Sequence, residues 1–208
     1  LPRIAIDAMG GDFGPEVTVK VAAAASLQGQ VSVLLVGDSH RIDAVLHQQV
    51  HNPEFLSVVH VPNAGSDPGA TPDRAAQLLA SGKAHALITA SHPRLIVDAS
   101  LKHLPKLPHA TLPALAAVLP TARERGERLD PFCLLLDVGA SLNVSAADLV
   151  SFSLMGVAYA RVISKNARPR LALLSNTRDP TRGPDAVVSA HRALTQLAAD
   201  NPSQFEFL

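Results

Sequence analysis

Aromatic residues are scarce in this chain: six Phe, one Tyr and no Trp make up 3% of its 208 residues. Few side chains are therefore available on which bases could stack. Charge is also sparse, at 17% of residues, and 18 basic side chains balance 18 acidic ones. Without a basic excess to neutralise a phosphate backbone, nucleic acid is not an expected partner. The single cysteine, Cys133, excludes an internal disulfide, and the nine histidines are scattered along the chain. No metal or other cofactor is expected. Unbroken apolar runs fall far short of the about 20 residues that cross a bilayer. With no recognisable leader segment, the chain reads as cytoplasmic.

What is present is an ordinary globular composition, 47% hydrophobic, in a length that suits one packed domain. Short apolar runs alternate with longer helical stretches. The runs are Arg3–Asp7, Val31–Val36, Leu56–Val61, Ala86–Thr89, Leu115–Leu119, Phe132–Asp137, Arg170–Leu174 and Phe205–Leu208. Several are continuously apolar, as strands covered on both faces of a parallel sheet must be. FCLLL, which holds Cys133, reads as one of these buried strands. Helices are expected over about Glu16–Gln28, His40–Gln49, Thr71–Ser81, Leu95–His103, Ala146–Ser164 and Pro184–Ala199. Pro15 suits a first turn, Ser145 an N-cap, and Gly29 and Gly82 the left-handed position past a helix end. The expected fold is α/β, a three-layer Rossmann-like arrangement around a mostly parallel sheet. Pro62–Pro72 and Pro105–Pro113 are breaker-rich loops, and Arg123–Arg128 mixes charge signs as a solvated turn does. The abrupt end at FEFL, a strand-like run with no turn after it, reads as truncation of a single α/β domain.

Such folds hold ligands at the carboxyl ends of their strands, so the loops leaving the strands are where chemistry is sought. The first, after Arg3–Asp7, carries Asp7, Gly10, Gly11, Asp12 and Gly14 ahead of a helix. Glycines there admit an anion to backbone amides, although the spacing is neither a dinucleotide fingerprint nor a Walker loop. A tight turn, with the acids bonded to nearby amides, explains the same residues. Asp137, Gly139, Ser141 and Asn143 repeat this grammar after a later strand. Ser91, His92 and Arg94 follow a third strand and carry groups suited to anion binding or to acid–base work. Pro93 there has its own explanation as a helix start, and neighbouring Ser and His point in different directions. Arg178 and Arg182, in the loop after Arg170–Leu174, suit a phosphate or carboxylate, as does an ordinary solvated loop.

Taken together, IAIDAMGGDFGP (4–15), VSVLLVGD (31–38), LLLDVGA (134–140), SFSLMGVAYAR (151–161) and PRLALL (169–174) resemble the phosphate acyltransferases of bacterial phospholipid synthesis, the PlsX family. The match runs in order along nearly the whole chain. The resemblance implies a fold akin to phosphotransacetylase and isopropylmalate dehydrogenase. It also implies a homodimer that moves a fatty acyl group from acyl carrier protein to inorganic phosphate, working in the cytoplasm with peripheral contact at the inner membrane face. On that footing Asp7, Asp137 and His92 are candidate catalytic residues. Gly10, Gly11, Asp12, Ser91, Arg94, Gly139, Ser141, Asn143 and Arg182 are candidate phosphate or substrate contacts.

The chain also departs from the family pattern. A Gly-Asn-Thr-Gly loop becomes Ser91, His92, Pro93 and Arg94, exchanging flexible donors for a proline that has none. An Asp-Val-Gly-Ala-Asn-Val-Asp segment becomes Asp137 to Asn143, without its amide and second carboxylate. Leu-Leu-Asn-Ile-Gly becomes Leu173 to Thr177, while Arg182 and Gly183 match the basic residue and glycine that follow. A basic segment is missing between Val61 and Ala75, and the family's C-terminal portion lies beyond Leu208. A catalytically impaired paralogue that binds the same partners is the alternative these departures raise.

Overall fold

A computed structural model describes residues 1–108, 110–121 and 132–208; the RERGER stretch lies outside the described residues. Contacts divide the chain into two units, Leu1–Pro105 and Lys106–Leu208.

The first unit alternates strand and helix without exception: β1 Arg3–Asp7, α1 Gly14–Gln28, β2 Ser32–Gly37, α2 Ser39–Leu46, β3 Leu56–His60, α3 Ala70–Ala80, β4 Ala86–Ile88 and α4 Pro93–His103. Its four strands pair in the order β3-β2-β1-β4, all parallel. Register explains why their apolar runs are continuous. Ile4 and Ile6 lie beside Val33 and Leu35, while Ala5 lies beside Leu34 on the opposite face. On the first face, Ile6, Val33, Leu35 and Leu56 pack with Val19, Ala22 and Ala23 of α1 and Ile42 and Leu46 of α2. On the second, Ala5, Val36 and Val61 pack with Ala75 and Leu78 of α3. Each large aliphatic side chain buried here contributes about 1.5–3 kcal/mol, so both faces need apolar residues. Three layers result.

Helix ends follow local chemistry. Asp38 caps α2 by accepting from the His40 and Arg41 amides. Gly29, at φ 65°, closes α1 in the left-handed conformation that a Cβ disfavours. By contrast, α1 begins after Phe13 with no side-chain cap.

The second unit contains β5 Ala116–Pro120, β6 Phe132–Leu136, α5 Ala146–Ile163, β7 Arg170–Leu171, α6 Asp185–Asp200 and β8 Glu206–Phe207. β5 and β6 form an antiparallel ribbon, and β7 and β8 a short parallel one. Here the structure corrects a sequence expectation: Cys133 is exposed rather than buried. Two paired strands cannot cover both of their own faces, and an apolar run does not reveal how many neighbours a strand will have. The longest helix of this unit is α5. Ser, Gly, Asp148 and Arg161 interrupt its apolar residues, yet with a mean hydropathy of 1.4 over 18 residues it is long and apolar enough to cross a membrane by length and composition alone. Ser145 caps α5 reciprocally with Asp148, whose carboxylate also accepts from Thr111.

Candidate functional site

In the order β3-β2-β1-β4 the chain leaves β1 first toward β2 and later returns to the other flank of β1 at β4. The carboxyl ends of β1 and β4 therefore border the point where the winding reverses, the place where open parallel sheets of this kind hold their ligands. Asp7 is the last residue of β1 and is fully buried.

Its carboxylate is saturated. Oδ1 accepts from the amides of Met9 and Gly10, each at 3.1 Å. Oδ2 accepts from Thr89 Oγ1 at 2.7 Å and from Ser91 Oγ at 2.6 Å. A buried carboxylate must be compensated by donors, and here half of them come from the β4 loop. Asp7 thus ties the two loops together. With its acceptor sites engaged, it positions its neighbours and is no nucleophile.

Gly10 makes that joint possible. A Cβ there would lie 2.7 Å from Asp7 Oδ2, from the Ser91 amide nitrogen and from Ser91 Oγ, one of which is backbone. Gly11 adopts φ +87°, turning the chain toward α1. The other flank is held from β2: the Ala8 amide donates to Val36 O at 2.9 Å, and Met9 packs so closely over Gly37 that a Cβ would meet its Cγ at 2.8 Å.

Beyond this joint lies an open depression of about 620 Å³ lined by Met9, Gly11, Asp12, Phe13, Gly14, Glu16, Val17 and Arg41. The uncapped start of α1 faces its rim, where amides and the helix dipole favour an anion. Met9, Phe13 and Val17 form an apolar wall, while Asp12, Glu16 and Arg41 supply charge. Arg41 is a site residue the sequence reading did not single out. It belongs to the first turn of α2, and its Nη2 lies 3.4 Å from where a Gly14 Cβ would stand. The signal available in sequence was only that β2, and so the start of α2, borders β1.

The remaining candidates separate. Ser91 faces the joint, and its amide donates to Thr89 Oγ1 at 3.0 Å. His92 turns away to cap α4, its Nδ1 accepting from the Arg94 amide at 3.2 Å. Arg94 forms an exposed ion pair with Asp98 at 3.1 Å, one helical turn along. Asp137, Gly139, Ser141, Asn143, Arg178 and Arg182 belong to the second unit. Asp137 accepts from the amides of Leu115 at 2.9 Å, Gly139 at 3.2 Å, Ala140 at 3.0 Å and Ser141 at 2.8 Å. Burial pushes this carboxyl up, but those four amides outweigh it and hold it below the ordinary carboxylate value. Like Asp7, it organises a loop. Arg182 pairs with Asp179 at 3.2 Å. Asn143 is exposed. Among the described residues, no group of three or more His, Cys, Asp or Glu side chains is arranged to hold a metal ion.

A sequence profile of the family described as fatty acid synthesis protein matches residues 2–205. The phosphate acyltransferase of Campylobacter lari is 31% identical over 205 residues, covering 95% of this chain and 60% of that protein. That of Synechococcus elongatus is 34% identical over 209 residues, covering 96% of this chain and 58% of its own length. The chain thus spans less than two thirds of these relatives. Among solved structures, a branched-chain phosphotransacylase from Enterococcus faecalis aligns with a TM-score of 0.65 at 16% identity, over 99% of this chain and 67% of that one. A phosphotransacetylase from Staphylococcus aureus aligns at 0.64 and 13% identity, over 100% and 67%. The shared feature at such identities is the α/β fold with its mostly parallel sheet.

Proposed function

The chain belongs to the fatty acid synthesis protein family, and we propose that it moves a fatty acyl group from acyl carrier protein to inorganic phosphate, giving an acyl phosphate for phospholipid synthesis. The observation that carries this reading is the Asp7 joint, which holds a glycine loop and the uncapped start of α1 at the winding reversal of a parallel sheet. Its similarity to phosphate acyltransferases supports the reaction class.

Phosphate needs no protein nucleophile to attack a thioester. One of its oxygens bonds to the acyl carbon, the carbon–sulfur bond breaks, and the phosphate proton ends on the departing thiolate. The protein's contribution is to position both reactants and to stabilise the developing oxyanion. Arg41 and the first amides of α1 supply positive potential for phosphate. Met9, Phe13 and Val17 offer the acyl chain an apolar surface; Phe13 is 76% exposed and is free to be covered. Asp7, Thr89 and Ser91 hold the loops and contact neither reactant. The family resemblance extends the proposal to a homodimer in the cytoplasm, working at the inner membrane face.

A second reading, binding without turnover, is favoured by the way Ser91 and His92 are spent on internal hydrogen bonds. Trapping with hydroxylamine separates the two. Acyl carrier protein loaded with a fatty acyl group is incubated with the protein, with and without phosphate. Phosphate-dependent hydroxamate is the expected result; its absence, with acyl carrier protein still bound, establishes the binding reading instead.

A further inference from the structure

Ser39 and His60 form a second chemically equipped pair on the same edge of the sheet. Ser39 opens α2 directly after β2, and His60 is the last residue of β3. Parallel pairing sets Gly37 beside His60, so the two side chains meet although 21 residues separate them. Ser39 Oγ lies 3.0 Å from His60 Nδ1, and the Ser39 amide nitrogen lies 3.3 Å from the same atom.

The second contact decides the roles in the first. A backbone amide can only donate, so Nδ1 presents its lone pair and the ring proton resides on Nε2. The hydroxyl beside that lone pair is then the donor. This is the geometry of a serine hydroxyl oriented toward a general base. His60 is exposed, which leaves Nε2 open to exchange protons with solvent, and Ser39 is half-buried. Position adds to the effect, because the N-terminal end of α2 favours negative charge developing on Oγ. What the pair lacks is an oxyanion hole, since the next two amides, of His40 and Arg41, already donate to Asp38. Attack is favoured, but no donors await the tetrahedral oxyanion, nor is a water held for deacylation.

We propose that Ser39 is a site of O-acylation, taking an acyl group from small activated donors of the acyl phosphate class with His60 as its base. Oγ bonds to the acyl carbon as its proton passes to Nδ1. The carbon–oxygen bond to phosphate then breaks, and inorganic phosphate leaves with the proton returned by the imidazolium. The product is a seryl ester that outlives its formation. The step draws only on the Ser39–His60 geometry and holds whether or not the chain turns over acyl carrier protein.

Acetyl phosphate is the probe. The protein is incubated with it, digested with trypsin, and the peptide Val21–Arg41 is followed by mass spectrometry. The expected result is a single acetyl increment placed on Ser39 by fragmentation. S39A abolishes it, and H60A slows it by on the order of a hundredfold. Added imidazole restores the rate in H60A, a response that lost packing would not give. Circular dichroism verifies that both variants are folded. Labelling that is equal in S39A, that falls on lysines alone, or that proceeds in H60A at the unsubstituted rate overturns the proposal.

Discussion

Asp7 and Ser91 stand 84 residues apart in sequence and share a 2.6 Å hydrogen bond. That bond converts two separate strand-end turns into one structure. Its cause is topological: β4 returns to the flank of β1 that β2 does not occupy, bringing Ser91 over the end of β1.

Gly10→Ala tests how tightly that structure is closed. The added methyl would sit 2.7 Å from the Ser91 backbone nitrogen, which has no freedom to swing aside. A cost of about 1–3 kcal/mol is expected, which at this chain length lowers the thermal midpoint by roughly 2–4 °C for each kcal/mol. Gly65→Ala, where nothing lies within 4 Å, is the control and leaves the midpoint nearly unchanged. Thermal unfolding followed by circular dichroism makes the comparison.

Asp73 of α3 accepts from Lys102 and His103 of α4, both at 2.8 Å. Burial raises its carboxyl, yet the hydrogen bonds and charges of Lys102 and His103 outweigh it and set it below the ordinary carboxylate value. Asp137 is lowered as well, by its four amides acting against burial. A lowered folded value means that the unfolded chain binds more protons. Both contributions are therefore fully present above about pH 4 and are lost as the pH falls through the folded values. Urea midpoints measured from pH 7 down to pH 3 should fall, and D73N should flatten that dependence while lowering the midpoint at pH 7.

Ser145 and Asp148 cap α5 reciprocally. Ser145→Ala removes the side-chain acceptor for the Asp148 amide and should cost about 0.5–2 kcal/mol. Denaturant unfolding monitored at Tyr159, which lies in α5 and is the chain's sole tyrosine, reads the change.

Much of this was legible in the sequence. Among the described residues, each of the eight expected strands and six expected helices stands where apolar runs and caps placed it, with ends displaced by a few residues. The reason is that sheet burial demands apolar residues locally, and Gly29, Pro15 and Ser145 act on their own neighbours. The family was legible too, in DAMGGD and the helix carrying MGVAYAR. Long-range partners were not. Nothing local in Asp7 announces Thr89 or Ser91, and Arg41 enters the depression only because β2 borders β1. Strand environment was hidden as well: FCLLL reads as interior, yet among the described residues β6 pairs only with β5, and Cys133 is exposed. The turn of Arg94 toward Asp98 was recoverable from their spacing of four on a helix.

In the proposed reaction the loop between β1 and α1 holds phosphate for acyl transfer, with Arg41 as its cationic partner. Initial rates of acyl phosphate formation from acyl carrier protein, measured against phosphate concentration in the unsubstituted protein and in Arg41→Ala, test it most directly. A charge-assisted contact contributes about 1.5–3 kcal/mol, so the phosphate KM should rise by roughly 10- to 100-fold while the dependence on acyl carrier protein stays nearly the same. Identical phosphate curves for the two proteins, or no phosphate-dependent product from either, would contradict it.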